Sequence, residues 1–94
     1  MKLVIESGII NLDNFDKICY RESFLGPTEG YPVEAIKTVV SGRIFKTKKT
    51  IAEEVERFSN KTDAKKLVED ITMAWINGEK TFDIPVWIAK CKDN

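Results

Sequence analysis

The sequence predicts an α+β fold: an antiparallel sheet of about five strands with one long helix, residues 61–77, packed on one face. Apolar residues at helical spacing in that segment, β-branched alternation through much of the remainder, and turn dipeptides between the alternating runs together imply it.

The helix is the best-marked element. Ala64, Leu67, Val68, Ile71, Ala74 and Trp75 recur at intervals of three and four, so they share one stripe that must face a core. Asn60 suits the cap, Thr62 is a second candidate, and Asp63 sits where the helix dipole favours negative charge. Asn77-Gly78 closes the last turn, because glycine takes the left-handed conformation readily. Met73 falls opposite the stripe and Ile76 on its flank, so both are expected to be wet.

Ahead of the helix, Leu3 to Ile5 form a short β run that Ile9 and Ile10 resume after Ser7-Gly8, which predicts a small hairpin. Leu12 to Phe15 is a turn built on Asp and Asn. From Asp16 to Glu22, Ile18 and Tyr20 face one way while Lys17, Cys19 and Arg21 face the other, giving a third strand. Ser23 to Pro32 loses all periodicity around Gly26-Pro27 and Gly30, leaving Phe24, Leu25 and Tyr31 in an irregular loop. Val33–Val40, the Ser41-Gly42 turn and Arg43–Thr47 then make a central hairpin.

Residues 51–58 admit two structures. Thr50 with Glu53 writes a capping box and Ile51, Ala52, Val55 and Phe58 share a helical face, so a short helix is preferred. A helix of about eight residues is marginal by itself, and the segment also suits the sheet. Beyond Gly78, Phe82, Ile84, Val86 and Ile88 alternate with Asp83, Pro85, Trp87 and Ala89. That predicts a final strand from about Thr81 to Cys91, at an edge because Pro85 cannot donate to a ladder.

Ninety-four residues, 43% of them hydrophobic, suffice for one core, so 1–94 is expected to be a single domain. Fifteen basic and fifteen acidic side chains cancel, and recognition by charge must therefore be local. Glu6 arrives too soon for a signal peptide, and no run approaches the ~20 apolar residues of a membrane span. A cytoplasmic protein with no membrane partner is expected, with Cys19 and Cys91 as reduced thiols. Asn60-Lys61-Thr62 matches a glycosylation sequon but is read as a helix start.

Histidine is absent, which removes the common hydrolytic triads, the commonest metal ligand and the usual proton shuttle. The cysteines lack a CxxC neighbour, and no phosphate-binding glycine loop is written. Asp13 with Asp16, and Glu53, Glu54 and Glu56, read as solvated acidic faces. No catalytic residue, metal or cofactor is expected, so the chain is read as a non-enzyme.

Two binding functions then follow. The first is a protein–protein interaction module, with another protein or a second copy as partner, using Phe24, Leu25, Tyr31, Met73, Ile76 and Trp87. The second is a single-stranded nucleic-acid-binding domain using the hairpin end at Arg43, Phe45, Lys46, Lys48 and Lys49, where basic charge flanks an aromatic. The second ranks lower because Glu53, Glu54 and Glu56 stand close enough in sequence to neutralise those lysines.

Ile10-Asn11-Leu12-Asp13-Asn14-Phe15, the helix ending in Asn77-Gly78-Glu79-Lys80, and the strand Thr81-Phe82-Asp83-Ile84 resemble small uncharacterised domains of Gram-positive bacteria and their phages. The likeness covers about half the chain; the loop from Phe24 to Pro32 and the segment from Val40 to Phe58 depart from it. It implies a meander of strands closed by one helix, a strand over residues 50–58, and no catalytic residues. It also implies the role of a phage or mobile-element inhibitor or adaptor.

Overall fold

Among the described residues six strands and two helices follow one another, the strands divided between two three-stranded sheets. The computed structural model describes residues 1–22, 30–42, 44 and 47–92, the last by its backbone alone. β1 (Lys2–Ile5) and β2 (Gly8–Asn11) form the first hairpin, and a single 3-10 turn, Leu12–Asn14, leads into β3 (Lys17–Tyr20). β4 (Tyr31–Ser41) and β5 (Thr47–Phe58) make a long antiparallel hairpin, followed by α1 (Lys61–Ile76), β6 (Thr81–Asp83) and α2 (Ile84–Lys92). One sheet runs β2-β1-β6 with β6 parallel to β1, and the other runs β3-β4-β5 with all neighbours antiparallel.

α1 forms for the reasons its sequence announces. Asn60 accepts the Asp63 amide at 2.8 Å while its own amide donates to Asp63 Oδ2 at 2.9 Å, so cap and third residue bind each other. At the other end Gly78, at φ +77°, lets its N–H reach the Trp75 carbonyl and that of Glu79 reach Ala74, closing the helix. Ala64, Leu67, Ile71 and Ala74 are buried against β3, β4 and β5, with Val68 and Trp75 beside them. Leu3, Ile10, Leu12, Ile18, Val33, Ala35, Val55 and Ile84 complete one continuous core.

Residues 51–58 are strand, and the short helix is overruled. β5 pairs with β4 from Tyr31↔Phe58 to Ser41↔Thr47, and a bulge at Val33/Glu34 turns Val55 into the core. A helix would have satisfied the same amides but left β4 without its partner. The predicted strand from Thr81 to Cys91 is also corrected, since only Thr81–Asp83 is strand. Asp83 accepts the Val86 amide at 3.0 Å and starts α2, and Pro85 falls in the first turn, where a missing N–H costs nothing. Ile84, Trp87 and Ile88 then lie on one helical stripe facing the core.

The radius of gyration is 14.7 Å and the extents are 55 × 35 × 22 Å, against about 12 Å for a compact chain of this length. The outer half of the β4–β5 hairpin supplies the elongation. Among the described residues no helix is long and apolar enough to cross a membrane.

Candidate functional site

β3 covers β4 only from Val33 to Ile36. Just beyond, Asp16 Oδ2 accepts the Thr38 amide at 2.8 Å, so a side chain finishes the ladder that β3 has left. From Lys37↔Ile51 to Ser41↔Thr47 the two strands then run as a free ribbon, ~14 Å of ladder at ~3.4 Å per step. Residues 47–54 of β5 are all exposed, and among the described residues no strand pairs with the outer edge of β5. At the tip Thr47 Oγ1 donates to the Ser41 carbonyl at 3.2 Å, holding the last rung together.

The charge of the chain is segregated along this arm. Between Ile36 and Ala52 stand Lys37, Arg43, Lys46, Lys48 and Lys49 and no acid, which leaves ten basic and fifteen acidic side chains for the rest. The formally neutral sequence therefore carries +5 within residues 37–51 and −5 in the remainder. Residues opposite each other in an antiparallel ladder share a face, so Lys37 and Lys49 stand on one face with Val39 and Ile51. Lys48 stands on the other with Thr38, Val40 and Thr50. Lys48 and Lys49 are exposed.

The glutamates expected to neutralise these lysines do not. Register places Glu53 opposite Ala35 and Glu54 opposite Glu34, at the root of the arm. Glu54 binds Arg57 at 2.6 Å, and Glu56 accepts the Arg57 amide at 2.9 Å. Arg21 binds Glu34 at 3.2 Å and Lys61 binds Glu22 at 2.6 Å, so these pairs also lie off the arm. Among the described residues Lys37, Lys48 and Lys49 have no ion-pair partner. Arg43, Phe45 and Lys46 lie outside the described residues. Lys37 was not among the residues singled out from sequence; the signal that finds it is the acid-free run from Ile36 to Ala52.

The apolar candidates separate into two groups. Tyr31 pairs with Phe58 and packs on the core, and Trp87 meets Phe58 edge-on, with centroids 6.1 Å apart. The Trp87 indole also donates to Asp70 at 2.7 Å, tying α2 to α1, so Tyr31 and Trp87 have structural work already. Met73 and Ile76 are instead 56% and 73% exposed near the end of α1. Phe24 and Leu25 lie outside the described residues.

Of the other titratable groups, Asp13, Lys61 and Asp63 are engaged in local pairs. A cleft of about 470 Å³ between the end of β5 and α2 is lined by Phe58, Asp63, Trp87 and Cys91, but Asp63 is engaged by the Asn60 cap. Asp13 binds the Met1 amine at 2.8 Å, and that hydrogen bond holds its carboxyl below the usual range. Lys61 is shifted upward by its hydrogen bond to Glu22. Cys19 is half-buried and Cys91 exposed, both as free thiols. No family model, curated protein or solved structure matches the chain.

Proposed function

We propose that the protein is a non-enzymatic binding module whose working part is the β4–β5 arm and whose partner is a nucleic acid. The observation that carries this reading is the acid-free ribbon formed by residues 37–41 and 47–51, whose Lys37, Lys48 and Lys49 have no ion-pair partner among the described residues. Lysines free of carboxylates release condensed counterions when they meet phosphates, and an acidic body turns the arm toward a polyanion and stays clear itself. Fluorescence anisotropy of a labelled oligonucleotide tests it: binding at 50 mM salt should weaken steeply by 200 mM, and no binding at the lower concentration overturns it.

A second reading keeps the protein partner, or a second copy, at the end of α1. Exposed Met73 and Ile76 favour it, as does the inhibitor or adaptor role the sequence resemblance implies. Sedimentation over a range of concentrations should then show association that Met73→Lys abolishes. A monomer throughout leaves the second copy without support.

A further inference from the structure

Resting on the nucleic-acid reading above, we infer that the arm enters the major groove of double-stranded DNA and does not hold a single strand. The first reason is the shape of the arm. A two-stranded ribbon fits a B-form major groove ~12 Å wide and ~8.5 Å deep, and ~14 Å of free ladder lets it enter to that depth with the body still outside. The acidic body requires that distance.

The second reason is how charge is spread. A single strand is held on one face, where stacked aromatics meet the bases and basic groups follow the backbone. Here Lys37 and Lys49 project from one face and Lys48 from the other. A ribbon between two phosphate walls uses both sets; a strand laid on one face leaves the other set idle. Lys48 and Lys49 sit one and two rungs behind the last pair, ~3–7 Å back along the ladder.

The third reason is side-chain chemistry. Phe45 is the one aromatic residue between Ile36 and Ala52, whereas Thr38, Val39, Val40, Thr47 and Thr50 fill the ribbon. Such a surface offers little to stack on, but methyl groups for thymine and hydroxyls for base edges or phosphates. An A-form RNA duplex is excluded by its narrow major groove, so the groove assigned is that of DNA.

Competition for a labelled mixed-sequence DNA duplex of about 20 base pairs tests the assignment on the full chain. Unlabelled duplex should displace the probe about tenfold better than either of its single strands or an RNA duplex of the same sequence. The double variant K48Q/K49Q should melt like the parent, because both side chains are exposed, and should lower the log–log salt slope by about 2. A single strand or RNA duplex competing equally well, or a slope unchanged in the variant, overturns the groove assignment while leaving nucleic-acid binding standing. Failure of every nucleic acid to bind removes the underlying reading itself.

Discussion

Two glycines show how position decides what a residue must be. A Cβ on Gly78 would meet nothing within 4 Å, so Gly78→Ala should cost only the left-handed backbone, about 1 kcal/mol. At Gly30, φ +73°, a Cβ would lie 2.7 Å from the Phe58 carbonyl oxygen, and β5 itself would have to move. Urea denaturation should rank Gly30→Ala clearly above Gly78→Ala; equal costs would contradict the packing of Gly30 on β5. Asp13 supplies a pH effect of known sign. Its carboxyl is depressed by the Met1 amine, so the stability it contributes is complete above an unfolded pKa of about 4 and disappears as pH falls through its lower folded value. Thermal melts of D13N and the parent should differ at pH 7 and converge toward pH 2. The caps of α1 were readable because Asn60 and Gly78 act on amides within a few residues. Asp83 caps α2 by the same chemistry, yet it is masked there by the alternation on either side of it.

At the scale of elements, the stretch after Gly78 carries two periods at once. Phe82, Ile84, Val86 and Ile88 alternate as a strand does, while Ile84, Trp87, Ile88 and Cys91 recur as a helix does. Burial selects the helix, since the Trp87 indole finds Asp70 and Phe58 only if it shares a face with Ile84 and Ile88. The two alternatives differ at Val86, which a strand would turn inward and α2 leaves 48% exposed. Val86→Lys should therefore change stability by less than about 0.5 kcal/mol and Ile84→Ala should cost about 2–5 kcal/mol. Comparable large losses at both positions in chemical denaturation would contradict the helix. β5 was hidden for a different reason. Its partner is β4 across a hairpin, and the capping-box pattern of Thr50 and Glu53 is a local preference that pairing along the whole of β4 overrides.

For the whole molecule, the decisive property is one that totals conceal. Fifteen charges of each sign sum to zero, and only the fold, by pairing residues 37–41 with 47–51 beyond the reach of β3 and Glu54 with Arg57 at their root, separates a basic ribbon from the acids. The α+β class and the six-residue stripe of α1 were legible, because hydrophobic periodicity is written locally. The arm was half legible: its tip lysines stood out, but their freedom from the neighbouring glutamates depended on register. Protein NMR during titration with a DNA duplex of about 20 base pairs tests the central claim most directly. Amide shifts should change from Lys37 to Ile51, while those of Met73, Ile76 and the rest of α1 stay in place. Changes confined to the end of α1, or none at low salt, would contradict it.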